Sequence, residues 1–543
     1  MTPPGGSARS LGIAPALAAI VIVGLVPGAA GAATFNVNHT ADRGDFNTAD
    51  PFCDSNPTKA GRQCTLRAGV EQTNAQPGRD RLLLPPRTFE IKPGIGFGQL
   101  SVSDDLVVDG TSAAKTVIRL SAPASRIFEV GVAARLDLRD ATVRDGVVAD
   151  TGGGIRSFGT LILRRSRVRS NEAFANSGGG IYATGPTTIL TSEIGGPKPA
   201  DGNRALAGAG IYAVATGDQL VVRGSSVSNN IAETGDPGAD VPLGGGIASI
   251  GAKLRVAGSE IRGNVARFVD PPTTEHAYGG GVFVTNEGMS LRGSVVVGNR
   301  VVGGPSAGAG LNVWTGPLTV VRSSIRGNVA SEDASGGGIS YGFAATASRV
   351  TVRDSTVARN RAGTVGGGIS LREASGELEN VTLSRNESEN PGNPTVRGQD
   401  LFVHDATLDA SHVTVVPSGS ASLTAFTSTS PPATMTLRAT VLGRAGVPVC
   451  TVSNGSAVTS LGFNVSRGTD CNLTASSDRP GINPRLGGLA LNGGPTRTHA
   501  LRSASPAVNR LAKGACAPPN RDQRGVKRPQ GKRCDAGAYE RKK

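Results

Sequence analysis

Gly279-Gly280-Gly281-Val282-Phe283-Val284-Thr285-Asn286-Glu287-Gly288-Met289-Ser290-Leu291-Arg292-Gly293-Ser294-Val295-Val296-Val297-Gly298-Asn299 is one copy of a unit that recurs through the middle of the chain. Its opening Gly-rich tetrad has counterparts at residues 152–155, 178–181, 208–211, 244–247, 308–311, 336–339 and 366–369, with successive ends 26 to 36 residues apart. A Ser-x-aliphatic-x-x-Asn step follows at Ser166…Asn171, Ser225…Asn230, Ser259…Asn264, Ser294…Asn299, Ser323…Asn328 and Ser355…Asn360, with a variant ending at Asn386. Fixed periods of this length mark a solenoid.

Counting back from each Asn gives the register. The third residue back is aliphatic in every copy (Val168, Val227, Ile261, Val296, Ile325, Val357, Leu383), and the eighth and tenth are apolar pairs such as Leu163 with Leu161. Alternation within each short run marks a half-buried strand, and the change of parity between runs marks a bend. The reading is all-β: a single-stranded, right-handed parallel β-helix with three short strands per turn, one each at the tetrad, the Leu-x-Leu step and Ser-x-Val. Stacked aliphatics fill the tube, each worth roughly 1.5–3 kcal/mol on burial. The Asn stands at a turn, where its amide can bond coils above and below. One coil departs from the pattern, with Pro197 in the Asn slot and a small loop running on to Asn203. Insertions at 231–243 and 265–278 place long loops along one edge.

Composition agrees with this architecture. Of 543 residues 77 are Gly, while Trp occurs once and Met three times, a poor recipe for a helical enzyme. The net charge is +14, and only ten of the 56 basic residues are Lys. The excess is therefore Arg, whose forked guanidinium suits carboxylate or phosphate. Few aromatics and no recognisable module argue against specific nucleic-acid binding. No P-loop pattern follows any strand, so the glycines build structure rather than cradle phosphate.

Residues 1–33 carry Arg9, an apolar stretch and Ala30-Gly31-Ala32, the pattern of a secretory signal peptide, and no later segment is apolar enough to span a membrane. The six cysteines fall into near pairs, Cys53 with Cys64, Cys450 with Cys471 and Cys516 with Cys534. Fifteen connectivities are possible, and proximity favours this one. Without CxxC or a Cys/His cluster, neither a metal nor a cofactor is expected.

Both ends carry motifs of known type. Cys64-Thr65-Leu66-Arg67-Ala68-Gly69-Val70 resembles the CSLREA segment that heads many secreted β-helix proteins, with Ala68 where that family has Glu. Leu66, Val70 and Thr73 would form one face of a short capping helix. Leu491-Asn492-Gly493-Gly494-Pro495-Thr496, Thr498-His499-Ala500-Leu501, Asp522-Gln523-Arg524-Gly525 and Cys534-Asp535-Ala536-Gly537-Ala538-Tyr539-Glu540 resemble the choice-of-anchor Q region. The central repeats are similar to those of polymorphic outer-membrane adhesins. These resemblances imply a secreted or surface β-helix of adhesin-like type, with a pectate-lyase-like solenoid. They divide the chain into a signal peptide (1–33), an N-terminal cap (34–98), the β-helix (99–445) and a disulfide-bearing C-terminal region (446–543).

Two functional readings follow. Seven residues before the Asn slot stand Arg164, Arg223, Arg292 and Arg353, with Arg139 equivalent in an earlier coil. A second set, Arg144, Arg169, Arg262 and Arg326, stands two before it. A solvent-facing column of arginines suits an extracellular polyanion such as an acidic polysaccharide, bound without catalysis; the bland alternative is Arg stems covering strands with solvated heads. The competing reading is a polysaccharide lyase or glycoside hydrolase using loop carboxylates, Asp236 and Asp240 with Asp270, Glu275 and His276. Glu377 and Glu379 read as a salt-bridge site with Arg353. His404, Asp405, Asp409, Ser411 and His412 crowd together in sequence, with alternation expected to point His404 and Asp405 to opposite faces. His499 reads as a turn residue of the tail.

Overall fold

The computed structural model describes residues 31–542 apart from 95–97, 123, 216, 218, 236–240, 270–275, 332, 343–348, 390–397, 420, 429–431, 444–447 and 517. The expected signal peptide lies almost wholly outside the described residues. In the coil quoted above, Val282–Thr285, Met289–Arg292, Val295–Val297 and Arg300–Val302 are four strands. Each pairs in parallel with its counterparts in neighbouring coils, forming among the described residues a tetrad sheet of 13 strands, a broad sheet of 15, a serine sheet of 14 and a corner sheet of 9. The chain is a right-handed parallel β-helix.

The fourth strand corrects the expectation of three per turn. It follows the Asn and is only two to six residues long, as at Val265–Phe268, with Ala266 and Phe268 turned inward. Its inward residues are mostly alanines: Ala173, Ala205, Ala232, Ala266 and Ala330 stack into a small core separate from the main tube. Alanine is a weak strand former, so neither propensity nor hydrophobicity announces this sheet.

Each glycine of a tetrad has its own reason. Gly279 adopts φ +66°, a left-handed turn. At Gly280 an added Cβ would collide with the Arg300 carbonyl of the corner strand. At Gly281 it would come 3.0 Å from the Asn299 side chain, so the tetrad's backbone closes over the Asn.

Those Asn residues form a continuous buried ladder: Asn171, Asn203, Asn230, Asn264, Asn299, Asn328, Asn360 and Asn386. The irregular coil keeps it, because residues 196–202 bulge outward and Asn203 takes the slot that Pro197 occupies by count. A parallel ladder joins the serines: the Ser259 N–H donates to Ser294 Oγ (3.2 Å), and the Ser294 N–H to Ser323 Oγ (3.2 Å).

The Asn ladder ends on a carboxylate. Asn386 Nδ2 donates to Asp400 Oδ1 (2.7 Å) and Ser422 Oγ to Asp400 Oδ2 (2.7 Å). Burial outweighs these bonds and raises the Asp400 pKa to about 6. The folded state therefore holds this proton more tightly than the unfolded chain, so ionised Asp400 is a penalty, complete above pH 6 and absent below about pH 4. Two pH units correspond to about 3 kcal/mol. Asp400→Asn keeps the Oδ1 acceptor for Asn386 and reverses the other bond, its Nδ2 donating to Ser422 Oγ, and is expected to stabilise the protein by up to about 3 kcal/mol at pH 7.5, with no gain at pH 4. Denaturant titrations at the two pH values check this; an equal gain at both would show that Asp400 is not the source.

The sheets reach into both terminal regions. Thr34–Asn36 and Arg79–Leu83 already belong to the broad sheet, and Cys450–Ser453, Ala457–Ser460 and Val465–Ser466 extend the tetrad, broad and serine sheets beyond residue 445. The end coils lack tetrads, so the repeat pattern understates the tube. Over its first end lies the helix Leu66–Ala75, capped by Thr65, whose Oγ1 accepts from the Ala68 N–H (3.0 Å), with Leu66, Val70 and Thr73 buried. Disulfides join Cys53 to Cys64, Cys450 to Cys471 and Cys516 to Cys534.

The tail returns along the serine sheet. Two antiparallel pairs, Leu486–Ala490 with Thr498–Leu501 and Leu511–Ala512 with Arg533–Cys534, stand outside the tube. The tail motifs make the contact: Gln523 Oε1 accepts from Thr382 Oγ1 (2.6 Å), and the Ala538 N–H donates to Thr414 Oγ1 (2.9 Å). His499 bridges Gly487 O (2.8 Å) and Ser384 Oγ (2.9 Å). Since a carbonyl only accepts, His499 Nδ1 carries the proton and Nε2 accepts from the serine.

Candidate binding face

The broad sheet presents one flat outer face along the tube. In register, its column reads Asp109, Arg139, Arg164, Leu190, Arg223, Ala257, Arg292, Val321, Arg353, Glu379. The expected arginine column is therefore interrupted, and its members differ in kind. Arg139 and Arg164 both bond the fully buried Asp137, at 2.6 and 3.2 Å. Burial pushes that carboxyl up, but the two guanidinium groups prevail and hold it below its usual range. Arg353 bonds Glu377 at 2.6 Å, with Glu379 at 4.0 Å. These three arginines are occupied by the protein's own acids.

Arg223 and Arg292 are not. Both are exposed, and among the described residues neither forms an ion pair. Between them, strand Lys253–Ala257 turns Lys253 and Arg255 outward, also exposed and without an acid partner among the described residues. No carboxylate lies on Gln219–Arg223, Lys253–Ala257 or Met289–Arg292, and the flanking strands Thr187–Leu190 and Leu318–Val321 are uncharged. Four cations thus share three neighbouring strands. Lys253 and Arg255 escape a search confined to the seventh residue before the Asn; alternation along their strand is the signal that finds them.

Spacing separates the two arginines of the column. Strands lie about 4.8 Å apart, so Arg223 and Arg292 are about 10 Å from one another across Ala257, near the Debye length in physiological salt. Alongside, a groove of about 580 Å³ follows the corner towards the serine sheet, floored by Gly224, Gly258 and Gly293. Glu193, Glu260 and Arg326 stand on its rim. Of the second arginine set, Arg144, Arg169 and Arg262 pair with Asp145, Asp201 and Glu260.

The other candidates divide. Asp236, Asp240, Asp270 and Glu275 lie outside the described residues. His276 stacks on Tyr278 (5.7 Å) and meets the Pro305 carbonyl. His404 and Asp405 do not point to opposite faces: both reach Ser428, at 2.9 Å from His404 Nε2 and 2.7 Å from Asp405 Oδ2. Asp405 has φ +47°, and that left-handed residue breaks the alternation. His412 is buried against Ser411 Oγ (3.0 Å), and burial holds it neutral, while Asp409 accepts from Thr436 (2.6 Å). Of these, His276 and His404 line one cleft, which Asp409, Ser411 and His412 do not.

Among the described residues no helix is long and apolar enough to cross a membrane. No protein-family model matches the chain, nor does any curated protein. Two solved structures are similar to it. One is the A-module of the Azotobacter vinelandii mannuronan C-5 epimerase AlgE6, with 12% identity, TM-score 0.35, and coverage of 72% of this chain and 91% of that one. The other is pectate lyase Pel9A, with 11% identity, TM-score 0.27, and coverage of 94% and 98%. At these values no functional residue is carried over from either.

Proposed function

We propose that this is a secreted or surface-associated, adhesin-like β-helix that binds an anionic extracellular polymer without catalysis, along the broad-sheet face at Arg223, Lys253, Arg255 and Arg292. The observation that carries the reading is four exposed cations without acid partners among the described residues, beside a groove that runs along the tube. A polyanion such as an acidic polysaccharide, with a carboxylate on successive sugars, suits a cluster of four cations on three neighbouring strands. The resemblance of both termini to segments of secreted β-helix proteins, the signal-like leader and three disulfides support an extracellular setting.

The test is salt-dependent binding to an immobilised polyuronate. The variant with Arg223, Lys253, Arg255 and Arg292 all replaced by Ser is expected to lose at least tenfold in affinity and most of its salt dependence. Arg139→Ser is expected to leave binding nearly unchanged, since Asp137 already holds that side chain. Unchanged binding by the fourfold variant would overturn the assignment. Shortened polymer on chromatography would instead favour the lyase or hydrolase reading and the carboxylates of loops 231–243 and 265–278.

A further inference from the structure

A cleft of about 460 Å³ opens on the outer side of the tetrad sheet, its strand residues Ser340, Arg372, Phe402, His404 and Phe426 belonging to later coils than Arg223 and Arg292. Its lining includes Tyr278, Ser340, Arg372, Phe402, His404 and Phe426. Register explains why these meet: Arg372, His404 and Phe426 occupy one column in three successive coils, and Ser340, Ser370 and Phe402 occupy the next.

Arg372 is the unusual member. It is half-buried, and among the described residues its guanidinium makes neither a hydrogen bond nor an ion pair. Burial pushes its pKa down, opposed only in part by Glu373 and Asp405, so this cation has left water with incomplete compensation. Asp405 is meanwhile bonded to Ser428 through both oxygens. Burial, then Arg372, lowers the His404 pKa, leaving the ring neutral at pH 7. Apolar faces surround the cation: Phe402 and Phe426 are nearly parallel at 6.3 Å, with His404 5.2 Å from Phe426. In the column of Ser340 and Phe402, Ser370 Oγ and both side-chain polar atoms of Asn312 are buried without a partner among the described residues. Buried polar groups are rarely left so.

A lone, partly desolvated guanidinium beside aromatic faces and hydroxyls complements a ring that carries one carboxylate, apolar C–H faces and hydroxyls. We infer that this cleft binds a uronate residue of an acidic saccharide, its carboxylate on Arg372 and its ring against Phe402 and Phe426. The site stands independently of the broad-sheet face and takes a short saccharide or chain end rather than a long polymer.

Calorimetric titration of the full chain with uronate trisaccharides (galacturonate, mannuronate and guluronate), each against its methyl ester, tests this. Wild type is expected to bind at least one free acid and to bind its ester at least tenfold more weakly. Arg372→Met, which keeps the stem, is expected to lose at least tenfold for the acid with a melting temperature no lower than that of wild type, and Arg372→Lys to lose less. The fourfold broad-sheet variant is expected to bind the trisaccharide as wild type does. Absence of binding by every free acid, or equal binding by Arg372→Met, would overturn the inference. Loss of trisaccharide binding in the fourfold variant alone would also overturn it, while leaving the polymer reading intact.

Discussion

Asn299→Ala is expected to destabilise the protein by about 3–6 kcal/mol, far more than a comparable change at an exposed asparagine. Asn299 Oδ1 accepts from the Asn264 backbone N–H (3.0 Å) and from Asn264 Nδ2 (3.0 Å). Its own Nδ2 donates to Ile261 O (3.0 Å) and Asn328 Oδ1 (2.9 Å). Truncation strands two donors, the Asn264 N–H and Nδ2–H, and one acceptor, Ile261 O, while Asn328 Oδ1 keeps the Asn299 backbone N–H (3.0 Å); each buried orphan costs about 1–3 kcal/mol. Water cannot replace the amide readily, because the Gly281 backbone lies against it and the neighbouring coils close above and below. Asn176→Ala, at an exposed position, is expected to stay within about 0.5 kcal/mol. A solenoid is stabilised coil by coil, so loss at one rung opens its neighbours first. Native-state hydrogen exchange should therefore show faster exchange at Asn264 and its adjoining coil than at Asn360. A cost below about 1 kcal/mol would mean that the ladder is decoration on a tube held by its aliphatics.

Much of this ladder is legible in the sequence, because a side chain needed once per coil repeats with the coil. The same logic makes the inward aliphatics and the tetrads readable. The serines repeat just as faithfully, yet a small polar residue before a strand is common at turns, and nothing local shows that its hydroxyl reaches the next coil's backbone. The corner sheet hides for a different reason, since its core is alanine and its strands are as short as two residues. The cationic face was legible only by half. A column of arginines is visible by counting, but whether each is spent on an internal acid depends on residues two positions away or one coil apart, as Asp137 and Glu377 show. His404 and Asp405 illustrate the limit of alternation: one left-handed residue undoes it. The docking of the tail is out of reach altogether, because its partners stand 141 residues away in sequence, as Thr382 does from Gln523.

That docking supplies the second large effect. Arg528 and Glu540 are both buried; Nη1 bonds Glu540 Oε2 (3.0 Å) and Asp535 O (2.9 Å), while Nη2 bonds Gly537 O (2.7 Å) and Asn380 Oδ1 (3.2 Å) of the tube. Glu540 also accepts from the backbone N–H groups of Gln530 and Asp535, so one ion pair gathers three tail segments against the serine sheet. Breaking a buried pair by removing one partner typically costs about 3–5 kcal/mol, whereas replacing both with apolar groups can be nearly neutral. Glu540→Leu is accordingly expected to cost about 3–5 kcal/mol. Its readout is faster proteolysis between 502 and 540 while the coils stay protected. Adding Arg528→Met should recover part of that loss, because no uncompensated cation then remains, although the carbonyls of Asp535 and Gly537 lose their donor. A double-mutant cycle separates these cases. Strong positive coupling means that the tail is clamped by charge and geometry together. Simple additivity would mean that Arg528 holds the tail through carbonyl contacts alone, with Glu540 serving only the backbone amides beside it.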